Sequence, residues 1–326
     1  MKFASFDAYI RAREREYVDE LSALVRLPTV SAQRSAIDET ARSVLERSRR
    51  AGFRATAERV AGGPPTIIGE QGAGERTLLV YDHYDVQPPD PLQEWVSPPF
   101  EPVIRDGFLF GRGTSDNKGN LTASAEDLAL LAALPFDEEA TKRIHGIKGF
   151  VGDLGGTALK ARYFLGPTCT ICGLTSGYQG EGSKTVLPAV ASAKVDFRLV
   201  PDLTPLLVRA LLRKHLDARG FTDVEITTHH GEAPSRWPAD TAVARAAVRA
   251  CRAAYGTEPV VYPIMAGSGP MAQVCDQLGI PAVGFGSGHA GSQNHAPNEN
   301  IRIADYIDHI RAFGRFIHAF AGQPLD

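Results

Sequence analysis

The spacing of apolar positions predicts helices over the first fifty residues of the chain. Apolar side chains recur at helical intervals from residue 5 to residue 27, which predicts one amphipathic helix. A second helix is predicted over Ile37–Arg50, and Gly52 beyond it is a residue type that often ends helices. A short apolar run at residues 77–81 is typical of a strand buried on both faces. This strand would lead directly into a His-Tyr-Asp sequence, and ligands of open α/β sheets gather at such strand ends.

Loops, helices and strands alternate along the rest of the chain. Prolines and glycines make residues 87–113 rich in loops. A strand, a helix and a strand from residue 186 to residue 228 would form half of a small open-faced sandwich. The individual predictions are helices at 118–134, 205–219, 240–255, 268–278 and 303–320, strands at 186–200, 224–228 and 282–285, and a helix with a Gly-interrupted stretch at 136–165.

Composition and charge limit the classes of function. The 326 residues are 43% hydrophobic and 22% charged, which suits a soluble globular protein with room for two domains. A net charge of -3 argues against nucleic-acid partners. We find neither a signal-peptide pattern nor an apolar run that would span a bilayer, so we expect a cytoplasmic protein with no membrane partner. Cys169 and Cys172 form a CxxC without a second pair, so a core strand is favoured over a zinc or redox site.

Three short segments carry candidate metal chemistry. His83 is a possible ligand, and Asp85 is placed to orient its ring; a surface His-x-Asp without function is the alternative. Asp116 lies in a glycine-rich turn, where a carboxylate could bridge two cations or simply cap a helix. His295 precedes Pro297 in a loop and could donate a ring nitrogen, with His289 as a competitor and a plain loop histidine as the alternative.

Four motifs occur together in a fixed order: YDHYDVQP at 81–88, GRGTSDNKG at 111–119, GYQGEGSKTVLP at 177–188 and RLVP at 198–201. In this order the chain resembles the co-catalytic zinc peptidase family, which includes carnosine dipeptidase, carboxypeptidase G, aminoacylase and succinyl-diaminopimelate desuccinylase. The last two motifs are similar to the carnosine-dipeptidase branch. The resemblance extends from about residue 15 to about residue 320.

The resemblance implies an α/β fold, a discontinuous di-zinc peptidase catalytic domain with an inserted α+β lid domain. Residues 1–134 and 235–326 would form the catalytic domain, and residues 135–234 would be a remnant of the lid and dimerisation domain. It also implies a metal-dependent hydrolase of dipeptides or N-acyl amino acids with a free carboxylate. The expected cofactors are two divalent ions, zinc first and manganese or cobalt as alternatives. A homodimer through the lid is implied as well.

The family's functional residues can be carried onto matching positions of this chain. His83 would bind one metal ion with support from Asp85, Asp116 would bridge both ions, and His295 would bind the other. Thr185, Arg198 and Ser268, the last in a Gly-Ser-Gly loop, match positions that hold the substrate carboxylate. Arginine suits that task because its planar fork pairs with both oxygens of a carboxylate.

The sequence departs from the family in one region. The family has a Glu-Glu pair after an apolar strand, its first Glu the general base and its second a metal ligand. A further Asp ligand and a lid histidine that reaches across the dimer follow. None of the four is found here, because the predicted helix that ends at Leu134 passes directly to Pro135 and Phe136. Glu138 and Glu139 are better explained as first-turn carboxylates favoured by the helix dipole, and Glu126 as a helix-surface residue.

A segment the size of a small domain is therefore absent near residue 135. Three explanations stay open: a protein that contains the segment although this sequence does not, a deliberate deletion, or a truncated gene. A chain without the segment is expected to be inactive and to have unpaired sheet edges. The alternative functions are a non-catalytic carboxylate-binding relative and an N-deacylase of the same family.

Overall fold

The computed structural model describes residues 3–70, 77–118, 136–262, 264–265, 267–322 and 325. Contacts divide the chain into two compact units. The discontinuous unit comprises Met1–Ala123, Ala242–Pro259 and Val283–Asp326, and the inserted unit comprises Ser124–Thr241 and Val260–Ala282. The α/β character expected from the sequence is present, since both units combine helices with small antiparallel sheets.

Three helices open the discontinuous unit: α1 (Phe3–Ala12), α2 (Glu14–Val25) and α3 (Ile37–Arg50). The single helix predicted over residues 5–27 is wrong in one respect. It is broken at Arg13, whose φ of -112° and ψ of 9° leave the helical region. Helix α3 has the predicted bounds, and Gly52 at a φ of 90° turns the chain away after it.

Five strands complete the sheets of this unit. Strands β1 (Arg54–Glu58) and β2 (Thr66–Glu70) form an antiparallel pair. Strands β3 (Val103–Arg105) and β4 (Phe108–Phe110) pair with each other, and β4 also pairs with β7 (Asn300–Arg302), giving the order β3-β4-β7. Leu109 and Ile301 are partners in this sheet, and both pack with Leu21 and Val25 of α2. The sheet is thereby fixed against the N-terminal helices.

A second core lies between helices α7 (Ala242–Tyr255) and α9 (Ile303–Phe320). Small side chains on α7 allow the two helices to approach closely, and Phe285 and Phe313 pack at the edge of the cluster. Asp7 of α1 accepts hydrogen bonds from Arg315 and Arg311 of α9, which ties the chain's first helix to its last. The buried cluster consists of Val243, Ala246, Ala247, Ala250, Phe316 and Ala319.

The predicted strands at residues 77–81, 224–228 and 282–285 do not form as strands. Leu79 and Val80, expected to be buried on both faces, expose 56% and 47% of their surface. A strand needs neighbours along its edges for backbone hydrogen bonds and above its faces for burial. No strand among the described residues pairs with residues 77–81, so the apolar run is extended and mostly exposed.

In the part of the chain that the structure describes, the inserted unit contains four helices and one strand pair. Helix α4 (Glu138–His145) begins at Asp137, whose side chain accepts a hydrogen bond from the Ala140 N–H, and α5 (Gly156–Leu165) follows. The remaining elements are β5 (Thr168–Ser176), β6 (Ala191–Arg198), α6 (Pro205–Asp217) and the short α8 (Met271–Val274). Strands β5 and β6 are antiparallel, with a bulge between Ile171 and Gly173.

Cys169 and Cys172 lie on β5, as the strand prediction required, but both are exposed and so do not belong to a core. The helix predicted at 118–134, with Glu126, falls outside the described residues. No helix in the described part of the chain has the length and hydropathy needed to cross a bilayer.

Candidate metal centre

The three-stranded sheet brings two distant loops side by side. Strand β4 runs directly into residues 111–118, and β7 is preceded by residues 293–299. Because the two strands are antiparallel, with Phe110 opposite Asn300, the loops leave the sheet at the same end. The Gly111 N–H donates to the Glu299 carbonyl at 2.9 Å and extends the pairing by one step. Residues about 180 positions apart therefore share one site for a topological reason.

A third loop, residues 82–91, reaches the same place from a different direction. The Val86 N–H donates to the Thr29 carbonyl at 2.9 Å, which anchors this loop beside the end of α2. Gly113 passes so close that a Cβ atom there would lie 2.6 Å from Val86 Cγ1, and its φ is 91°. Glycine is thus required where the two loops meet. The Asn117 side-chain amide also donates to the Asp82 carboxylate.

Asp116 lies between the two candidate histidine ligands. His83 Nε2 is 3.4 Å from Asp116 Oδ1, and His295 Nε2 is 2.5 Å from Asp116 Oδ2. Each imidazole therefore faces a different oxygen of one carboxylate. The three residues that the sequence placed at a metal centre are together, and the shared carboxylate is in the middle.

Asp85 orients His83, as the sequence pattern suggested. Its Oδ1 lies 3.1 Å from His83 Nδ1, which leaves Nε2 directed at Asp116. A carboxylate on one ring nitrogen fixes the orientation of the ring and makes the other nitrogen a better ligand. Within the described residues Asp85 makes no hydrogen bond to His295, so its support is specific to the His83 side.

Electrostatics in the site follow from these contacts. Burial opposes protonation of His83, but hydrogen bonds to Asp116 and Asp85 outweigh it and raise the His83 pKa to about 10. The hydrogen bond from His83 lowers the pKa of Asp85. His295 first, and then His83, hold the pKa of Asp116 well below its ordinary value. The site therefore keeps the Asp116 carboxylate ionised between two imidazoles, where divalent cations would be held.

The imidazole nitrogens and carboxylate oxygens are atom types that bind divalent cations. The spacing of His83 and Asp116 also suits one such ion. Two ligand atoms of one tetrahedral zinc ion lie about 3.4 Å apart, which matches the distance from His83 to Asp116. The distance from His295 to Asp116 is shorter, so that pair would have to open by about 1 Å. His295 exposes 51% of its side chain and has room to move. No group of three or more His, Cys, Asp or Glu residues in the described ranges already has the arrangement of a metal cage.

His289, the competitor of His295, is engaged elsewhere. Its Nδ1 accepts a hydrogen bond from the Gly291 N–H at 3.1 Å, and its Nε2 lies 3.0 Å from Asn300 Oδ1. Both ring nitrogens are used to hold the loop before β7, so the structure assigns His289 a structural role.

Glu138 and Glu139 also have partners away from this centre. Glu138 accepts a hydrogen bond from the Gly156 N–H at 2.6 Å at the start of α5, and Glu139 pairs with Lys142 at 2.7 Å on its own helix. Both carboxylates belong to the inserted unit and act at helix ends, as expected from their place in a first turn.

Two residues of the site were not singled out from the sequence. Arg112 and Glu299 form an ion pair of 2.7 Å, and both side chains are fully buried. Glu299 also accepts hydrogen bonds from the backbone N–H groups of Ser115 at 3.0 Å and Asp116 at 2.8 Å. Arg112 lies inside the GRGTSDNKG motif and Glu299 lies four residues after His295, but a partner 187 positions away leaves no spacing signal in the sequence.

The residues predicted to hold a substrate carboxylate lie in the inserted unit. Arg198 Nη1 donates to Ser268 Oγ at 2.7 Å, and Arg198 Nε donates to Asp196 at 2.8 Å. The structure brings Arg198 and Ser268 together, and Arg198 remains half exposed. Thr185 is exposed in an extended segment. Their role towards a substrate stays a prediction.

The chain is similar to known metallopeptidases in sequence and in fold. Residues 79–319 match the model of peptidase family M20/M25/M40. Among solved structures, the M20 family metallo-carboxypeptidase Sso-CP2 from Sulfolobus solfataricus is 26% identical, with 93% of this chain and 98% of that chain covered and a TM-score of 0.82. The dipeptidase Dug1p from Saccharomyces cerevisiae (18% identity, 99% and 100% covered, TM-score 0.86) and human carnosine dipeptidase 1 (17%, 99% and 99%, 0.85) share the fold.

Proposed function

Because the chain belongs to peptidase family M20/M25/M40, we propose that it is built to hydrolyse dipeptides or N-acyl amino acids with a free carboxylate, using two divalent metal ions. The observation that carries the proposal is the pair of imidazoles on the two oxygens of Asp116. The names of a metallo-carboxypeptidase and a dipeptidase among similar structures support the substrate class.

His83 would hold one ion and His295 the other, while Asp116 would bridge them and Asp85 would orient His83. We propose zinc, with manganese or cobalt as alternatives, because two imidazoles and a carboxylate suit all three. Such a pair of ions supplies Lewis acidity towards a carbonyl oxygen and lowers the pKa of water. Arg198 would bind the free carboxylate of the substrate, and Ser268 would position the guanidinium.

We further infer that this chain lacks part of the catalytic machinery. Hydrolysis needs a general base, and no Glu-Glu pair follows an apolar strand in the sequence. The described residues supply each cation with one imidazole and a shared carboxylate, whereas zinc normally takes about four ligands. A second candidate function, a non-catalytic protein that binds metal and carboxylates, is favoured by this deficit. A homodimer through the inserted unit and a cytoplasmic location remain part of the proposal.

The test begins with the intact mass, which shows whether the protein contains more than this sequence. The metal-free protein is then loaded with Zn²⁺, dialysed and analysed for metal content. We expect bound zinc in the parent protein and a clear loss in His83→Ala. His230→Ala is the matched control, because His230 is an exposed histidine of the inserted unit. Equal zinc content in all three proteins would contradict the proposed metal site.

Size-exclusion chromatography with light scattering tests the proposed homodimer, with a dimer mass as the expected result. A panel of dipeptides and N-acetyl amino acids separates the dipeptidase from the N-deacylase alternative. Binding without turnover, measured by calorimetry with the same compounds, would favour the non-catalytic alternative.

A further inference from the structure

A buried ion pair lies at the meeting point of the three loops that carry His83, Asp116 and His295. These ligand loops are residues 82–91, 111–118 and 293–299. Arg112 belongs to the second loop and Glu299 ends the third, and both side chains are fully excluded from solvent. Fully buried charges are expensive unless paired and hydrogen bonded, so their position calls for a physical reason.

Glu299 fixes the backbone that carries Asp116. Its Oε1 accepts hydrogen bonds from two successive N–H groups, of Ser115 at 3.0 Å and of Asp116 at 2.8 Å. Its Oε2 accepts from Arg112 Nη1 at 2.7 Å. The Glu299 carboxylate therefore holds the backbone of Asp116 in place. Glu299 itself lies only four residues after His295, in the same loop.

Arg112 connects this arrangement to the first loop. Its Nη2 donates to the Pro88 carbonyl at 3.4 Å, and its guanidinium lies 5.2 Å from the centre of the Trp95 ring. Trp95 Nε1 in turn donates to the Pro89 carbonyl at 2.7 Å. The ion pair thus contacts all three ligand loops, although within the described structure neither of its members forms a hydrogen bond with His83 or His295.

We propose that the Arg112–Glu299 pair is a positioning device that sets the separation of the metal-binding residues, an inference that rests on the proposed metal-dependent function. A buried ion pair is a poor source of stability compared with apolar residues of the same volume. Its advantage here is geometric, because a fork of donors and a carboxylate can hold three separate backbones in one fixed arrangement. A loss of the pair should loosen the ligands more than the fold.

The structure supplies a matched control for stability alone. Asp7 and Arg315 form another ion pair at 2.8 Å, with side chains 11% and 5% exposed, between α1 and α9. Within the described residues, its hydrogen bonds involve α1 and α9 and no ligand loop. Asp7→Asn and Glu299→Gln each remove one buried negative charge and keep the side-chain volume.

The experiment measures Co²⁺ binding to each purified protein by competition with a chromophoric chelator, together with the Co²⁺ absorption spectrum and the Tm. We expect Glu299→Gln to weaken Co²⁺ binding by about 10- to 100-fold and to change the spectrum. Asp7→Asn should lower the Tm while leaving affinity and spectrum unchanged. The double variant Arg112→Met/Glu299→Leu should not regain affinity, since no acceptor remains for the two N–H groups. Parent-like affinity in Glu299→Gln, or equal losses in Asp7→Asn, would overturn the proposal.

Hydrogen exchange of the metal-free proteins provides a second measurement that needs no metal. Glu299→Gln should accelerate exchange within residues 111–118, and Asp7→Asn should not. If the parent protein fails to bind Co²⁺, the proposed function fails, and this exchange comparison still decides whether the pair fixes the loop. Unchanged exchange would remove the positioning role as well. If Glu299→Gln does not fold, Arg112→Lys replaces it, because lysine keeps the charge but cannot reach several acceptors with a fork.

Discussion

At the scale of single residues, the candidate site is organised by carboxylates that each serve two partners. Asp116 faces His83 with one oxygen and His295 with the other. Glu299 divides its oxygens between Arg112 and two backbone N–H groups. Each carboxylate therefore links segments far apart in sequence. A substitution that keeps size but removes charge is the informative change at such positions, because it leaves the packing in place.

Arg198 gives the prediction at this scale. We expect Arg198→Lys to weaken binding of a dipeptide about ten-fold or more, since lysine is a point charge and cannot pair with both carboxylate oxygens. If the protein turns over dipeptides, kcat/KM should fall by a similar factor. Titration calorimetry measures the affinity directly. Arg209→Lys is the control, because Arg209 is exposed on α6. An unchanged affinity for Arg198→Lys would contradict its role.

At the scale of secondary-structure elements, helix α9 packs against or pairs with several other helices of the discontinuous unit. It packs against α7 through the cluster around Phe316, and Arg315 ties it to α1. His309 on the same helix is buried against Phe285 and Phe313, and its Nδ1 has no hydrogen-bond partner in the described structure. Burial lowers the His309 pKa to about 4.

A pH dependence of stability follows from His309. Because its pKa is lower in the folded protein than its ordinary 6.5, the unfolded chain takes up a proton first as pH falls. Its contribution is therefore complete above pH 6.5 and is lost as pH falls towards 4, by about 2 kcal/mol at pH 5. His309→Phe keeps an aromatic ring and removes the titration. Urea unfolding at pH 7 and pH 5 should show a smaller loss in the variant than in the parent, and equal losses would refute this assignment.

A matched pair of leucines tests the fate of the predicted strand at residues 77–81. Leu79 is 56% exposed, whereas Leu109 on β4 is 1% exposed. We expect Leu79→Ala to change the free energy of unfolding by less than about 0.5 kcal/mol, and Leu109→Ala to cost about 2–5 kcal/mol. Denaturant unfolding of both variants gives the comparison. A large loss for Leu79→Ala would mean that the segment is buried in a sheet, as in a protein that retains the absent segment.

At the scale of the whole molecule, the fold matches that of solved metallopeptidases along almost the whole chain. The chain covers 98% of the length of a solved metallo-carboxypeptidase with a TM-score of 0.82, and the family motifs keep their order. His83, Asp116 and His295 meet because the sheet β3-β4-β7 and the anchor of Val86 to Thr29 bring their loops together.

The prediction for the whole protein concerns activity. A protein whose mass equals this 326-residue sequence should not hydrolyse dipeptides after zinc loading, since the absent general base alone is worth about 10²–10⁴-fold in rate. Turnover of a dipeptide panel, followed by amine release, is the measurement. Zinc-dependent turnover that His83→Ala abolishes would show that the base has been misplaced, and Glu126, Glu138 and Glu139 would be the residues to substitute next. A mass above the expected value would instead locate the missing base in a segment that this sequence does not contain.

The sequence by itself determined the family, most helices and the identity of the ligand candidates. Helical periodicity is a local property, so the bounds of α3 and α9 follow directly from the order of residues. The motifs identified His83 and Asp116, and the loop before the last helix identified His295, because metal-ligand chemistry depends on residue type and order. The lack of a Glu-Glu pair after an apolar strand was likewise evident from the sequence alone.

Only the tertiary structure decided which residues meet and which elements are covered. The engagement of His289, the competitor of His295, rests on hydrogen bonds to Gly291 and Asn300 that no local pattern contains. The Arg112–Glu299 pair joins positions 187 residues apart, and its burial exists only once β4 and β7 are paired. The apolar run at 77–81 had the composition of a buried strand but not the neighbours. Burial and the hydrogen bonds between strands depend on pairs of segments. A strand prediction that depends on them therefore fails where no neighbouring strand is in place.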